Sequence, residues 1–580
     1  MRLELSQGKL YLRDCDDDSI AAFAHIFGGA RERGTRNYLL PLTLDAIQYF
    51  QKDVPSCDIA PEIPQFLERL DQVLKKARTF GELDYKFKEG VPPPFDHQKE
   101  SMWFASVLDQ AMGLLDTGCG KTRLAVDAMC YRHLKSAVDR VLVVAPNSIH
   151  KQWVNEIERF ATVPNLDIRV IRGTKPQRLR ILNQPMEPGR LTIVLVHYEA
   201  LRVLRQELKA LDCQMTICDE TTVFKNHKSK IAKSLKKITE DCTFKLGLTG
   251  TPIWNRPRDI YSQYQWIDPF WFGVSFVIFK NSFLVYDDEA IGAGANKMTA
   301  YKNLEEMSRR LYSIGIRYKK EECIKGLPPQ VFETRRVEMT PEQKKLYAQA
   351  KEEFIIFIEQ AEQQGLPRAV VIQNALVRML RLQQICCGHT TDENGDTIYI
   401  PTNKPKEVEF VLDEMMGEPD RKVVIWCRFI PDLLLLYKTL SPLYRCAKFY
   451  GGMKPEAKDA VLTEFCGKRR PDDSWELGPT QVLIAQTRTG GVGLDLWQAS
   501  VNLFYSSEWS WGLRKQDQDR TFRNGSQIHK SITYFDIIGA DSIEERILDV
   551  LRSKKELSDV IMEVKDLKTL LGRSMLGEVA

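Results

Sequence analysis

The chain has 580 residues, enough for several domains, and its 43% hydrophobic and 28% charged residues are typical of a globular protein. No apolar run of about 18 residues predicts a membrane span, and the first residues lack the apolar stretch of a secretion signal. The 13 cysteines form no C-x-x-C pair, which argues against a disulfide framework. A formal net charge of +4 neither supports nor excludes a nucleic-acid partner, because the clustering of charge matters more than its sum.

Residues 1–85 predict a small N-terminal accessory module of α+β structure. Leu3–Leu12 is strand-like, residues 14–18 form an acidic run typical of a solvated turn and helix N-cap, and Leu39–Leu44 starts another strand.

Buried strands and helices alternate from about residue 92, the pattern of βαβ units in a parallel sheet. The predicted strands are Ala111–Leu115, Val141–Ala145, Leu191–Val196, Met215–Cys218 and Lys245–Leu248, and then Lys422–Cys427, Ala447–Tyr450, Gln481–Gln486, Ser500–Tyr505 and Ser531–Ile538. The alternation lapses after Asp268. We therefore predict an α/β protein whose lobes, residues 90–269 and 401–550, flank a mostly helical segment, 270–400, with a charged helical tail at 551–580.

A glycine-rich loop joins the first of these strands to a helix that begins near Arg123. Backbone N–H groups of such a loop turn toward phosphates at the helix N-terminus. Lys121 is expected to reach the β and γ phosphates of ATP, and the Thr122 hydroxyl to bind Mg²⁺. The strict motif has glycine where Leu115 stands, and the alternative is a plain turn between strand and helix. The predicted ATP-binding residues are Thr117, Gly118, Cys119, Gly120, Lys121 and Thr122.

Gln98, upstream of the loop, can read adenine with one amide donor and one acceptor. A glutamine near a helix start is more often simply solvated.

Asp219 and Glu220 follow the apolar strand at Met215. Asp219 is placed to hold Mg²⁺ through water, and Glu220 to orient and deprotonate the attacking water. By itself an Asp-Glu pair after a strand is more often a surface turn; together with the phosphate loop, the pair predicts hydrolysis.

Arg520 and Arg523 are three residues apart and share a face if helical. A guanidinium can stabilise the charge that develops during phosphoryl transfer; the alternative is a solvated helix face. Upstream, residues 487–495 form a glycine-dense loop that lets backbone approach a phosphate, of ATP or of a nucleic-acid strand. Gly493 and Asp495 in this loop are predicted to contact ATP.

Together these motifs resemble the Swi/Snf-type branch of superfamily-two helicase-like motors over about residues 90–550. The further matching segments are Val143–Ser148 with Gln152, Trp153 and Glu156, Phe224–Asn226 with Ser229 and Lys230, Thr249–Pro252 with Asn255, Ile267–Pro269, Arg317–Lys320 through Leu327–Pro329, Thr340–Gln343 with Leu346 and Tyr347, Leu382–Cys386, Gln516 and Asp519 beside the two arginines, and Ser542–Glu545.

The resemblance implies two RecA-like lobes that close over ATP and a motor that tracks along double-stranded DNA. Reannealing or migration of branched DNA would be a further activity. By this carry-over the candidates for DNA contact, each of which also fits a packing role, are Pro146, Asn147, Tyr198, Lys225, Arg428, Phe429, Thr489 and Trp509. Basic clusters near them are plausible phosphate contacts; they comprise Lys225, Lys228, Lys230, Lys233, Lys236 and Lys237, then Arg317, Lys319 and Lys320, then Lys468, Arg469 and Arg470.

Three departures from the family pattern stand out. Thr221-Thr222 replaces the usual Ala-His, Asp495 replaces Asn, and Glu508-Trp509-Ser510 lacks the usual Asp and Pro. The first two departures, Thr221-Thr222 and Asp495, keep a second reading open, a nucleotide-gated DNA clamp with weak hydrolysis. A third reading is a strand-separating helicase or an RNA motor.

The N-terminal module resembles the HARP-like domains of annealing helicases at Phe27–Ala30, Asn37-Tyr38, Leu40–Leu42 and Asp45-Ala46, with Arg31, Arg33 and Arg36 on a basic face. A plain small domain packed on the motor explains the same residues. We expect a monomer with no membrane association and no sequence-specific DNA contacts. The compact architecture predicts a cytoplasmic location in a bacterial or virus-infected cell, or the nucleus in a eukaryote.

Overall fold

The computed structural model describes residues 1–15, 27, 29–32, 35–286, 298–364, 368–392, 394–417, 421–469, 475–489 and 494–562. They divide into two compact units, one comprising the described residues of 1–323 together with 557–562, and the other those of 324–556. Each unit is built on its own parallel sheet, as predicted. Of the described residues in the predicted helical segment, 270–286 and 298–323 group with the first sheet, and those from 324 to 400 group with the second.

The first unit contains a seven-stranded parallel sheet. In spatial order its strands are Gly315–Tyr318, Gln110–Leu115, Phe244–Leu248, Met215–Asp219, Arg140–Val144, Thr192–Val196 and Asp167–Val170. The accompanying helices are Asp96–Val107, Lys121–Leu134, His150–Phe160, Lys175–Leu182, Ala200–Val203, Arg205–Ala210, Lys230–Ile238, Asp259–Ile267, Pro269–Phe272, Phe276–Phe283, Leu304–Ser313 and Lys320–Cys323, with 3₁₀ turns at Asn147–Ile149 and Thr221–Phe224 and a hairpin of Leu284–Tyr286 with Met298–Tyr301.

The second unit contains a six-stranded parallel sheet. Its strands in spatial order are Gln330–Val337, Ile532–Gly539, Ala499–Phe504, Lys422–Cys427, Val482–Gln486 and Cys446–Phe449. The helices are Pro341–Gln363, Arg368–Cys387, Lys404–Met415, Ile430–Leu440, Pro455–Cys466, Trp511–Thr521 and Ile543–Met562, with a 3₁₀ turn at Ser526–Ile528 and short hairpins of His389–Thr391 with Thr397–Tyr399 and of Lys468–Arg469 with Trp475–Glu476.

All ten strands predicted in the two lobes are confirmed to within one residue at either end. In the two large sheets, the strands that sequence patterning missed are Asp167–Val170, Gly315–Tyr318 and Gln330–Val337, and each is an outermost strand of its sheet. An edge strand has a neighbour on one side only and tolerates polar side chains, so it lacks the continuous apolar run of a central strand. Two of the three lie within the segment predicted to be mostly helical.

The N-terminal module has a five-stranded sheet with helices Leu44–Lys52 and Glu62–Arg78. Its strands in spatial order are Ala30–Arg31, Tyr38–Pro41, Lys9–Arg13, Arg2–Ser6 and Asp58–Ile59. Buried side chains of the module, such as Phe50, belong to one continuous core with those of the first large sheet. The module is therefore packed on the first lobe. The predicted cap at residues 16–19, Gly28 of the segment that resembles the HARP-like domains, and Arg33 of the predicted basic face lie outside the described residues.

Arg310 fastens this module to the first lobe. Its guanidinium lies 2.7 Å from Asp45 Oδ1 and donates to Gln48 Oε1 at 3.0 Å and to the carbonyl of Trp271 at 2.9 Å. Both partners of the ion pair are at least nine-tenths buried. Removing one partner of a buried pair costs about 3–5 kcal/mol when the other charge is left alone. Arg310 keeps a second partner, Glu306, whose Oε1 atom lies 2.6 Å from Arg310 Nε, so we expect the lower end of that range.

We therefore expect Asp45→Ala to lower the free energy of unfolding by about 3 kcal/mol, measured by urea denaturation followed by circular dichroism. The matched control is Asp84→Ala, which removes a carboxylate that is 95% exposed and paired with Lys135, and it should leave the urea midpoint unchanged. Equal midpoints for the two variants would contradict an anchoring role for Arg310.

Across the described ranges, every helix is too short or too polar to cross a bilayer.

Candidate functional site

The glycine-rich loop leads from the strand Gln110–Leu115 into the helix Lys121–Leu134. Gly118 and Gly120 have φ values of +92° and +90°, which favour glycine. Lys121 Nζ donates to the carbonyl of Leu115 at 3.0 Å, so the ammonium group folds back over the loop. Backbone N–H groups at a helix start with this geometry can cradle a phosphate.

Gln98 packs directly on this loop. A Cβ atom on Gly120 would lie 2.3 Å from Gln98 Nε2, so the contact depends on the absence of a side chain at Gly120. The side-chain oxygen Oε1 of Gln98 accepts from the backbone N–H of Phe95 at 3.1 Å, and His97 Nε2 lies 3.1 Å from the backbone carbonyl of Cys119. The start of the helix Asp96–Val107 is therefore fixed against the phosphate loop.

Asp219 ends a central strand of the same sheet, with its carboxylate buried. Trp153 Nε1 donates to Asp219 Oδ2 at 2.9 Å, and the Tyr198 hydroxyl donates to the Asp219 carbonyl at 2.7 Å. Burial raises the pKa of Asp219 to about 6, with the charge of Lys121 opposing the rise and that of Glu220 adding to it.

Asp219 and Thr122 fit a magnesium ion chemically. Both present oxygen atoms, the ligand type that Mg²⁺ prefers, and both follow strands of the same sheet. Burial disfavours the charged form of a carboxylate, and a cation bound beside it stabilises that form. The ion would be held by Asp219, through water, and by the Thr122 hydroxyl, and it would neutralise phosphate charge.

The raised pKa of Asp219 makes stability depend on pH. The folded protein binds this proton more tightly than the unfolded chain, so the contribution is full below about pH 4 and is lost as the pH rises through about 6. Without magnesium at pH 8, we expect Asp219→Asn to be more stable than the unsubstituted protein by on the order of 2 kcal/mol. Urea denaturation in EDTA at pH 5 and pH 8 measures this, and the difference should shrink at pH 5. If Asp219→Asn were less stable than the unsubstituted protein at pH 8, the result would contradict a raised pKa for Asp219.

Glu220 has a left-handed backbone with φ +60°, rare for a residue with a side chain. Its Oε1 atom accepts from Thr222 Oγ1 at 2.7 Å, and Thr249 Oγ1 lies 3.5 Å away. Sequence reasoning treated Thr222 only as a departure from the family pattern. No sequence rule links a threonine hydroxyl to a carboxylate two residues before it, so only the fold reveals this contact.

Arg317 contacts the phosphate loop. Its Nη1 atom lies 3.0 Å from Asp116 Oδ1 and donates to the carbonyl of Gly250 at 3.0 Å. A Cβ atom on Gly250 would lie 3.1 Å from the carbonyl oxygen of Leu115, so the loop at Thr249 and the phosphate loop are in close contact. The edge strand Gly315–Tyr318 places Arg317 beside Leu114.

The predicted basic cluster at 317–320 is therefore wrong for two of its members. Arg317 is committed to Asp116, and Lys320 is fully buried. Arg317 lies on the edge strand and Lys320 begins the helix Lys320–Cys323, and these positions direct both side chains into the unit. Arg470 of the third cluster lies outside the described residues.

In the second unit, Arg520 and Arg523 end the helix Trp511–Thr521 and the turn after it. Each donates from Nη1 to the carbonyl of Leu494 at 3.3 Å. Arg523 Nε also lies 3.0 Å from Asp495 Oδ1. The structure thus brings Asp495 to Arg523, whereas Gly493 lies outside the described residues.

The DNA candidates of the first unit follow the carboxyl ends of three neighbouring strands of the sheet. Asn147 is exposed, and Pro146 and Lys225 are half-buried, with Lys225 Nζ 4.8 Å from the ring centre of Trp254. Tyr198 is 2% exposed and bonded to Asp219. The structure contradicts the interpretation of Tyr198 as a DNA contact and gives it a role in holding Asp219.

The candidates of the second unit also follow neighbouring strands, and all are half-buried: Arg428, Phe429, Thr489 and Trp509. Glu508, one of the departures from the family pattern, lies between two arginines. Its carboxylate lies 2.7 Å from Arg488 Nε and 3.4 Å from Arg428 Nε. The carboxyl ends of these strands therefore carry less uncompensated positive charge than a count of the arginines there indicates.

Two family models match this chain, the SNF2-related domain at residues 97–391 and the helicase conserved C-terminal domain at residues 406–525. An uncharacterized ATP-dependent helicase of Mycoplasma pneumoniae is 25% identical over 82% of this chain and 42% of its own length. A probable ATP-dependent DNA helicase of Arabidopsis thaliana is 25% identical over 80% of this chain and 41% of its own length.

Among solved structures, the SWI2/SNF2 ATPase core of Sulfolobus solfataricus in complex with double-stranded DNA is 19% identical, with a TM-score of 0.37, covering 86% of this chain and 100% of that one. The chain spans less than half the length of either of these two curated relatives. The SNF2-related model by itself covers more than half of the 580 residues. The chain belongs to the SNF2-related, Swi/Snf-type family of helicase-like proteins.

Proposed function

We propose that this protein is a motor that hydrolyses ATP to ADP and phosphate while acting on double-stranded or branched DNA. The observation that carries the proposal is that a phosphate loop and an acidic pair follow strands of the same parallel sheet. The two are close enough for the positive charge of Lys121 to oppose the rise in the pKa of Asp219. The names of its relatives, among them ATP-dependent helicases and a DNA helicase, support the same activity.

In the proposed reaction Lys121 and the loop amides hold the phosphates, and Glu220 accepts the proton of the attacking water. Arg520 and Arg523 stabilise the charge that develops on the transferred phosphoryl group. Gln98 reads the adenine, and Asp495 and Gly493 act near the nucleotide. Magnesium, held as described above, supplies charge neutralisation.

DNA binding is proposed for Pro146, Asn147 and Lys225 on the first unit and for Arg428, Phe429, Thr489 and Trp509 on the second. On each unit these residues follow the carboxyl ends of adjacent parallel strands, and they are half-buried or exposed. The carboxyl ends of the strands are the usual place for a ligand in such sheets. Contacts of this kind go to the DNA backbone, so affinity should fall steeply with salt and depend little on sequence. Monomeric action, a cytoplasmic or nuclear location and reannealing of branched DNA belong to the proposal.

The decisive experiment measures phosphate release by the purified protein with no nucleic acid, single-stranded DNA, duplex DNA, forked DNA or RNA, beside Lys121→Ala. We expect stimulation by duplex or forked DNA that the variant loses. Stimulation by RNA alone, or none by any nucleic acid, would contradict the proposal.

The ion pair of Arg523 with Asp495 favours a second candidate function, a nucleotide-gated DNA clamp. An arginine neutralised by a carboxylate is a weaker stabiliser of phosphate charge. A clamp would retain DNA in the presence of ATP with little phosphate release, and a filter-binding assay run beside the hydrolysis assay separates the two functions.

A further inference from the structure

We propose that Thr222 is a positioning residue for ATP hydrolysis, and that its hydroxyl holds the carboxylate of Glu220 in the orientation needed to accept a proton from water. This inference rests on the proposed function and deepens it. It assigns a role to the threonine that replaces the histidine usual in the family.

The first support is the geometry at Glu220. Its left-handed backbone, with φ +60° and ψ +60°, turns the side chain away from the direction in which the strand Met215–Asp219 runs. Thr222 Oγ1 donates to Oε1 at 2.7 Å, and Thr249 Oγ1 approaches the same oxygen at 3.5 Å. Both hydroxyls engage Oε1, so we assign Oε2 to the attacking water.

The second support is the rigidity of the turn that carries Thr222. Thr222 is 5% exposed in the 3₁₀ turn Thr221–Phe224. The neighbouring Thr221 is fully buried and donates to Gln263 Oε1 at 2.6 Å. Ser262 Oγ donates to the carbonyl of Phe224 at 2.6 Å. Both ends of the turn are thus tied to the helix Asp259–Ile267, and the Thr222 hydroxyl is held in place.

The third support is a connection to the loop at Thr249. Gln263 Nε2 donates to the carbonyl of Pro252 at 2.8 Å, and Gly250 of the same loop contacts the phosphate loop. Lys225, a proposed DNA contact, follows the turn, and its backbone N–H donates to the carbonyl of Thr222 at 3.2 Å. Thr222 therefore lies on a continuous hydrogen-bonded path from Glu220 to a proposed DNA contact.

The position of a general base strongly affects the rate, because displacing the base by about 1 Å can lower the rate by about 10²-fold. Thr222→Val keeps the shape of the side chain and removes the hydroxyl. We expect kcat to fall by about 10- to 100-fold with the KM for ATP, the affinity for a fluorescent ATP analogue and the melting temperature unchanged. Thr222→Ser restores the hydroxyl and should recover most of kcat.

The matched control is Thr192→Val. Thr192 is 1% exposed at the other end of a strand of the same sheet, with its hydroxyl 3.5 Å from the Asp167 carboxylate. Its loss should leave kcat within twofold of the unsubstituted value. If Thr222→Val does not fold, Thr222→Ala set against Thr222→Ser makes the same comparison.

The outcomes separate this inference from the proposed function. If the unsubstituted protein hydrolyses ATP and Glu220→Gln does not, then a Thr222→Val variant with kcat within twofold of the unsubstituted protein overturns the positioning role alone. A Thr222→Ser variant as slow as Thr222→Val overturns it as well. If the unsubstituted protein releases no phosphate with any nucleic acid, the proposed function fails and the positioning role fails with it.

Discussion

Replacing Glu220 by glutamine is expected to lower ATP turnover by about 10²–10⁴-fold, the usual contribution of a general base. Glutamine has nearly the same shape and still accepts a hydrogen bond from Thr222, which lies 2.7 Å from Oε1, but it cannot take a proton from water. ATP affinity should be unchanged, because the groups proposed to hold the phosphates lie on the loop at Lys121. Phosphate release with duplex DNA measures the first effect, and binding of a fluorescent ATP analogue measures the second.

Lys121→Ala provides the contrast for this prediction. It should lose both turnover and nucleotide affinity, since Lys121 contributes binding as well as charge stabilisation. Glu187, which is 72% exposed at its side chain, offers a control, and Glu187→Gln should behave like the unsubstituted protein. A Glu220→Gln variant that retains more than about a tenth of the turnover would remove Glu220 from the role of general base.

Replacing Arg523 by alanine is expected to lower kcat by about 10³–10⁵-fold, the range measured when a phosphate-stabilising guanidinium is lost. Arg523 is the more accessible of the two arginines, since Arg520 is 4% exposed and the Arg523 side chain 18%. Arg523→Lys should recover little, because a compact ammonium cannot reproduce the planar fork of donors. The melting temperature should stay close to that of the unsubstituted protein.

Asp495→Asn tests the counterpart of this ion pair. Removing the carboxylate that lies 3.0 Å from Arg523 Nε takes away the counter-charge of the guanidinium, so turnover should be equal to or higher than that of the unsubstituted protein. Arg552→Ala, at an exposed position of the second unit, is the control for the loss of an arginine. If Arg523→Ala hydrolyses ATP at the rate of this control, Arg523 has no catalytic role.

The central strands of both lobes could be predicted because each is an apolar run buried on both faces, as in Val141–Ala145 and Lys422–Cys427. The phosphate loop and the acidic pair were also found from sequence, since their residues are contiguous and the glycines of the loop serve a backbone requirement at Gly118 and Gly120. The assignment of these residues to ATP remains a prediction until hydrolysis is measured.

Predictions that depended on which side chains are exposed include the errors. Tyr198 and Lys320 were predicted to face DNA, and both are buried. The sequence does not distinguish a tyrosine or lysine that faces solvent from one that faces the core. The position of the residue in the fold decides which of the two it is. Arg317 was misplaced for a related reason, because it lies on an edge strand whose mixed polarity gave no strand signal.

The family, the two parallel-sheet lobes and the order of the nucleotide motifs could be predicted without a structure, because they depend on local periodicity and on residues close together in the chain. The folded protein was needed to show that Thr222 and Thr249 approach one oxygen of Glu220, that Arg317 pairs with Asp116, and that Arg310 fastens the N-terminal module to the first lobe. Most of these contacts join segments far apart in the chain, and even the short one at Thr222 needs the left-handed turn at Glu220. Hydrogen-bond and ion-pair partners are chosen by distance in space, which the spacing of residues along a chain does not specify.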